Sequence, residues 1–384
     1  MRGLNWQMDG VGVLAVEPAN STLRAINVNP HVYRTSTLNV PNWVAKLESF
    51  PDVRGNDDGY ESANSFLFNF EHKSRETTCG GYFVVGSKAQ QLRQGHTFVD
   101  TAKYDDCAYL SALMVVAMLE NYPDGHNNLV LGVTHPFSYN KEYAEKIRSR
   151  VIGSYKVTTR DGKKVKFVVK KVLSFPETEG TINFLSTRLR SLTKELDVEV
   201  VKVFDWGHGT SHEINFSISR SNELIPDYDN ARTYDVGGRN YIDRLSQHIA
   251  VTYKSELAII ADRVPSDNRL FESMDTGCYR AYGNLRFDVT EFVAEIKKSA
   301  AIELRHIRDN RIYSKASADV ILWSGGSSRY FAREATITAF SKGFIWGNNS
   351  KLISEGDSLR FANLEGIRNQ MLATAGTGGF TPNA

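Results

Sequence analysis

Cysteine is scarce in this sequence: Cys79, Cys107 and Cys278 are an odd set scattered over 384 residues. They give neither a disulfide framework nor metal-ligand spacing, and they suit a reducing cytosol. Net charge is equally sparse. Lys and Arg number 46 against 44 Asp and Glu, so bulk electrostatics favours no direct nucleic-acid or membrane partner. Long hydrophobic runs are missing too. The longest apolar helix candidate, from about Ala108 to Leu119, is too short and too interrupted to span a bilayer. No basic segment leads into an apolar run at the N-terminus, so no signal peptide is expected. Together these absences predict a soluble, cytoplasmic protein. Its length predicts about two to three domains, enough to bury a full core.

What is present is an alternation of strands and helices, which argues for α/β layers. "GVGVLAVEP" and "STLRAINVN" read as strands, followed after a polar stretch by "GGYFVVGSKA". A strong helix, "CAYLSALMVVAMLENY", is closed by Pro123-Asp124-Gly125, and "NNLVLGVTHP" reads as a buried strand. Ser138 is placed to cap "YNKEYAEKIRSRVIG", where Tyr143, Ile147 and Val151 recur at i+4 and Gly153 provides the stop. Asp161-Gly162 predicts a hairpin between "YKVTTR" and "KKVKFVVKKV", with Lys164 and Lys166 on a solvated face. Further helices are expected at "INFLSTRLRSLTKELD", "NYIDRLSQHIAVTYKSELA", "VTEFVAEIKKSAAIELRHIRD", "SRYFAREATITAFS" and "SLRFANLEGIRNQMLATA". "ADVILWSGG" reads as a strand ending in glycines, and 376–384 has the composition of a disordered end.

A partial internal echo carries the chemistry. In "VLAVEPANSTLRAI" an apolar strand ends in Glu17, turns on small polar residues and resumes as strand. "VKVFDWGHGTSHEI" has the same form with Asp205. Such a turn gathers backbone N–H groups into a concavity that suits phosphate oxygens. A carboxylate at the strand end can hold a divalent cation against those phosphates, usually through water. One glycine turn alone is an ordinary hairpin. Two of them, each following a strand with a terminal carboxylate, point to a nucleoside triphosphate held from both sides.

These hairpins resemble the phosphate motifs of the actin-like ATPases, and other segments resemble the prokaryotic, ParM-like actins in particular. "GGYFVVGSKAQ", "AKYDDCAYLSAL", "NNLVLGVTHPFSYNKEYAEKIRSRVIGSYKV", "VLSFPETEGTINFL", "ADVILWSGGSS" and "SLRFANLEGIRN" fall in the family's order along most of the chain. The individual motifs are degenerate, so their order carries the resemblance. It implies an actin-like fold of two α/β domains with nucleotide in the cleft between them. Domain I would be roughly 1–197, rejoined by a C-terminal helix at 356–375. Domain II would be 198–355, with a flexible tail at 376–384.

The resemblance also implies site residues. Glu17 and Asp205 are the candidate metal ligands, Glu17 standing where the family prefers aspartate. Ala19, Asn20, Ser21, Thr22 and Arg24 are candidate phosphate-facing groups. Ala19 replaces a usual glycine and Arg24 a usual lysine; if position 19 needs a positive φ, alanine there costs roughly 1 kcal/mol. Gly207, His208, Gly209 and Thr210 form the second phosphate turn. His208 reads equally as a solvent-exposed hairpin tip, and His212 replaces a common aspartate. Glu177 is the candidate water-orienting group with Asp205 as its catalytic companion. Glu179 competes for the role, and either acid could simply stabilise a helix N-terminus. Gly325, Gly326 and Ser327 would approach the adenosine. The implied cofactors are ATP, or GTP, with Mg2+. The implied function is nucleotide-dependent polymerisation into filaments that segregate or position DNA, such as a plasmid, through an adaptor protein. A small-molecule kinase of the same superfamily and a structural filament protein with little or no hydrolysis are the alternatives.

Overall fold

A strand that is apolar at every position must be covered on both faces, and the first strand shows how this chain does it. The computed structural model describes residues 10–19, 22–28, 37–51, 64–92, 94–98, 101–135, 140–184, 199–219, 224–234, 236–258, 267–281, 285–309, 320–331 and 357–376. In β1 (Gly12–Pro18), Leu14 and Val16 pack into a core built on the helix Cys107–Asn121. Val13 and Ala15, on the other face, pack against Leu364, Ile367 and Met371 of the C-terminal helix Asp357–Gly376. Glu17 continues the second of these faces, because alternate residues share a side of the strand.

The chain forms two compact units, Met1–Thr187 with Phe361–Ala384, and Arg188–Arg360. The domain boundary expected near 197 falls among residues 185–198, outside the described residues.

The first unit holds β1, β2 (Thr22–Asn27), β3 (Leu38–Pro41), β4 (Val44–Leu47), β5 (Ser65–Lys73), β6 (Thr78–Gly86), β7 (His126–His135), β8 (Gly153–Thr159) and β9 (Lys164–Pro176). They make one sheet in the order β3-β2-β1-β7-β9-β8-β5-β6-β4. β1 runs parallel to β7 and β7 parallel to β9; the other pairs are antiparallel. The two marginal strands, β3 and β4, are separated in the chain only by Asn42 and Trp43. Helix Cys107–Asn121 is buried at every position from Tyr109 to Met118, as its apolar run requires. The Asp161-Gly162 hairpin forms as expected: Gly162 takes φ 81°, Thr159 N–H donates to Lys163 O at 2.9 Å, and Lys164 and Lys166 lie on the exposed face.

The second unit holds β10 (Val200–Trp206), β11 (Ser211–Ile218), β12 (Leu224–Pro226), β13 (Arg232–Tyr234) and β16 (Val320–Ser324) in one sheet, with β14 (Cys278–Arg280) and β15 (Arg286–Asp288) as a separate pair. Phe204 and Trp206 of β10 face a core made with helices Gly238–Thr252, Asp267–Thr276 and Thr290–Asp309. Asp205 lies between them and so on the opposite face.

Several sequence expectations need correction. The strand from Gly80 stops at Gly86, whose φ of 105° turns the chain into the short helix Ser87–Gln91. The long helix expected at 240–258 is two, Gly238–Thr252 and Lys254–Ala258. Tyr253 breaks it: its N–H closes on Ile249 O and its hydroxyl donates to Asp288 O at 2.7 Å. The helix expected from Ile182 is described only over 179–184, and the one after β16 only over 328–331. Ser138 and residues 377–384 lie outside the described residues. Among the described residues, no helix is long and apolar enough to cross a membrane.

Candidate functional site

In the first unit the β1–β2 register sets Glu17 opposite Arg24. Both are nearly buried, and Arg24 Nη1 donates to Glu17 Oε2 at 3.0 Å. The other carboxylate oxygen accepts from Asn363 Nδ2 of the C-terminal helix at 3.3 Å. Two carbonyls fix the turn that follows. Pro18 O accepts from Lys103 Nζ at 2.6 Å, and Ala19 O accepts from the Asn42 side chain. Ala19 does not take a positive φ; among the described residues Thr178 is the only non-glycine that does. Thr22 Oγ1 is a buried hydroxyl with no hydrogen-bond partner. Asn20 and Ser21 lie outside the described residues.

Lys103 is the group the sequence reading missed. It is 1% exposed, an ammonium carried to the hairpin from 85 residues away. The signal was the "KYDD" segment itself, each residue of which has a task. Tyr104 is buried and donates to Thr134 O at 3.2 Å. Asp105 pairs with Lys146 and Arg150 at the surface. Asp106 caps the helix, accepting from Tyr109 N–H.

The segment after β9 separates the two candidate acids. Glu177 N–H donates to His135 O at 2.8 Å, Thr178 takes φ 81°, and the chain is helical from 179. A β-branched residue in the left-handed region costs on the order of 1–3 kcal/mol, so this turn is held by its surroundings. Glu179 accepts from Gln370 Nε2 of the C-terminal helix at 3.4 Å, and burial raises its carboxyl above the usual range. Glu177 lies instead near Tyr104. That phenol is held well above its ordinary range by burial first, then by the charges of Glu177 and Glu17. Glu177 and Glu17 therefore both act on the Tyr104 phenol through their charge.

In the second unit Asp205 pairs in register with His212 on β11 and with Ser324 on β16. It is 8% exposed, and Ser324 Oγ donates to Asp205 Oδ2 at 2.5 Å. Gly207 N–H donates to Thr210 O at 2.9 Å, closing the Gly207-His208-Gly209-Thr210 turn. Gly325 takes φ 85°, and a Cβ there would lie 2.5 Å from Trp206 O and 2.7 Å from Asp205 Oδ1. Only glycine fits. Ser327 N–H donates to Trp206 O at 3.0 Å, so the β16 turn folds directly onto the end of β10. A third glycine pair joins them: Gly238 N–H donates to Gly207 O and Arg239 N–H to His208 O. "VGG" ahead of an amphipathic helix was the overlooked signal.

His208 is not an exposed tip. Phe271 packs on its ring, burial holds its pKa down to about 4 with the Arg239 charge assisting, and its Nδ1 has no hydrogen-bond partner. At neutral pH it is an uncharged imidazole. His212 is also buried, with Thr210 Oγ1 at 3.2 Å from Nε2 and Thr233 Oγ1 at 3.0 Å from Nδ1. It orients the Thr210 hydroxyl of the turn.

These residues fit an anion and a hard cation unevenly. In the second unit Asp205 Oδ1 faces the space that glycine keeps open at 325, beside a turn rich in backbone N–H groups. That donor set suits a cation held against phosphate. In the first unit Glu17 is already engaged by Arg24 and Asn363, so its remaining lone pairs suit a cation's water shell rather than direct ligation.

No protein family matches the sequence, and no curated protein is similar to it at a significant level. Solved structures are similar. A 15-stranded ParM filament from Clostridium botulinum aligns with TM-score 0.69 at 13% identity, over 94% of this chain and 99% of that one. An archaeal actin homolog in complex with ADP aligns with TM-score 0.67 at 14% identity over the same shares. A Bacillus thuringiensis ParM with ATP aligns with TM-score 0.64 at 14% identity, over 95% and 99%. Likeness over nearly the whole of each chain, with so little identity, is a likeness of fold, and the fold of this protein is actin-like.

Proposed function

We propose that this chain is a nucleoside triphosphatase that polymerises into filaments when nucleotide binds. The observation that carries the reading is the pair of strand-end carboxylates, Glu17 and Asp205, one in each unit, each at the mouth of a hairpin turn. Structural neighbours solved with ADP, with ATP and as a filament support it. Each hairpin would take triphosphate with Mg2+. Asp205 holds the cation on the second unit's side, and Glu17 meets its water shell. Lys103 and Arg24 supply positive charge near the first turn, and the Gly207–Thr210 turn donates N–H groups to phosphate. Gly325, Gly326 and Ser327 receive the adenosine, or the guanosine if GTP is the substrate. Glu177 orients the attacking water, a role that typically contributes ~10²–10⁴ in rate. Glu179, tied to Gln370, stabilises the turn instead. The filaments would segregate or position DNA through an adaptor protein.

A second reading has its own observation. Glu17 is buried in an ion pair and His208 is neutral, which suits a filament protein that binds nucleotide and turns it over slowly. Light scattering with ATP, GTP and a non-hydrolysable analogue, beside phosphate release, separates the readings. Scattering with prompt phosphate release supports the first; scattering without release supports the second. Release that requires an added small molecule, with no scattering, would indicate a kinase.

A further inference from the structure

Two of the three cysteines that the spacing left unconnected meet in the fold. Cys79 lies on β6, opposite His72 of β5 in the antiparallel register. Cys107 is the first residue of helix Cys107–Asn121, and its sulfur is 2.9 Å from that of Cys79. The separation is too short for two thiolates on one tetrahedral zinc, which stand roughly 3.8 Å apart given Zn–S bonds of about 2.3 Å. Among the described residues the cluster offers only His72 as a third ligand and no fourth. The two sulfurs are closer than ordinary contact and farther apart than the roughly 2.05 Å of a disulfide.

The surroundings decide which sulfur carries the charge. Cys107 sits at a helix N-terminus, where the backbone dipole favours an anion. Thr77 Oγ1 lies 3.3 Å from its sulfur and Ser111 Oγ 3.9 Å. Near Cys79, His72 Nδ1 is 3.8 Å from the sulfur and Ser111 Oγ accepts from the thiol at 3.5 Å, and burial favours its protonated form. The donated Cys79 hydrogen bond pulls the Cys107 thiol down to about 4, and the same bond pushes Cys79 up. His72 is fixed from both sides, hydrogen-bonded to Ser111 at 3.0 Å and stacked on Tyr155 at 3.9 Å. Neither cysteine is buried completely. A pocket of about 520 Å³, lined by His72, Thr78, Gly80, Ser154 and Lys156 among others, reaches Cys79, and Cys107 adjoins it through that sulfur.

We propose that Cys79 and Cys107 are a reversibly oxidised dithiol, closed to a disulfide by a hydroperoxide and reopened by a thiol reductant. The Cys107 thiolate attacks the terminal oxygen of the peroxide. The S–O bond forms, the O–O bond breaks, and the departing alkoxide or hydroxide takes a proton from water. Cys107 is then a sulfenic acid. Cys79 sulfur attacks it, the S–S bond forms as the S–O bond breaks, and the leaving hydroxide departs as water with the Cys79 proton. Each sulfur gives up one electron, and the peroxide is reduced to an alcohol and water, or to two waters. A thiolate beside a resolving thiol in an accessible pocket is the arrangement such oxidation selects. Closing the bond ties the β5–β6 hairpin to the N-terminus of the helix.

The test uses the full chain, reduced and desalted, treated with a few equivalents of hydrogen peroxide, alkylated and mapped by peptide mass. The expected result is that two of the three cysteines resist alkylation and that the Cys79 and Cys107 peptides are joined. Cys278 stays alkylated, and dithiothreitol restores all three. Cys79→Ser should stop at a Cys107 sulfenic acid that dimedone traps, and Cys107→Ser should slow oxidation of Cys79 by about tenfold or more. Oxidation of Cys278 as fast as the pair would overturn the proposal. So would a pair that stays reduced, or equivalent of zinc in the purified protein that shields both thiols. The wild-type mapping stands by itself if either variant does not fold.

Discussion

At the scale of single residues, the two carboxylates differ in what their removal should do. Asp205→Asn keeps the shape and the Ser324 hydrogen bond but removes the charge beside Gly325. We expect the circular dichroism to be unchanged and Mg2+-dependent phosphate release to be lost. Unchanged turnover in the folded variant would sink the metal role. Glu177→Gln should still polymerise with ATP yet release phosphate at least about tenfold more slowly, because on the proposed reading it removes a group used only in the chemical step. Glu179→Gln should lose stability rather than rate, since its partner is Gln370. The reverse outcome would exchange the two assignments. His208 provides a test without nucleotide. Its pKa is 6.5 ordinarily and about 4 when folded, so the unfolded chain binds its proton first as pH falls. The stability this burial confers is complete above about pH 6.5, declines by up to about 1.4 kcal/mol per pH unit toward pH 4, and is gone below. His208→Gln should therefore flatten the acid limb of a Tm-versus-pH curve in that window; parallel curves would refute a buried neutral imidazole.

At the scale of elements, the C-terminal helix decides the geometry around Glu17 and Glu179. It approaches the 179–184 helix backbone to backbone: a Cβ on Gly366 would lie 1.5 Å from Gly180 O, and one on Gly180 would lie 2.0 Å from Asn363 O. Gly366→Ala must push the helices apart, at a cost of about 1–3 kcal/mol, and loosen both Asn363 on Glu17 and Gln370 on Glu179. Urea unfolding of the variant should show a lower midpoint, and an equal midpoint would show that the contact can relax. This junction also marks where sequence reading ends. Strands β1 and β10 were legible because an apolar run ending in a carboxylate is a local pattern, and so was the Asp161-Gly162 hairpin, whose turn chemistry lies in two adjacent residues. Gly180 and Gly366 meet across half the chain, and nothing near either announces the other. The "KYDD" segment marked the place of Lys103 but not its task, because a buried lysine is defined by the Pro18 carbonyl it reaches. His208 misled because a histidine between glycines looks like a loop tip until Phe271 covers it. The three- and four-residue strands β3, β4 and β12 to β15 carry too few alternations to stand out from loop.

At the scale of the whole molecule, two units with separate cores should report separately on a ligand. Calorimetry of the nucleotide-free chain is expected to resolve two transitions. ADP with Mg2+, at protein concentrations where nothing pellets, should stabilise the lower transition by up to about 2.7 kcal/mol at a hundredfold excess over Kd, because on the proposed reading unfolding of either unit releases the ligand. A shift confined to the upper transition would show that a single unit holds the nucleotide and would refute engagement of both hairpins. Assembly then has to find a surface, and the first unit's sheet narrows the choice. Its marginal strands β3 and β4 are four residues each and nearly consecutive in the chain. Among the described residues, the sheet therefore presents no long row of unpaired amides and carbonyls for another copy to extend. On the proposed reading, a filament contact made at this sheet would be joined by side chains rather than by backbone ladders. Side-chain joints can be retuned one substitution at a time, and they can dissolve when the subunit changes state, whereas a continuous backbone ladder between subunits is hard to undo.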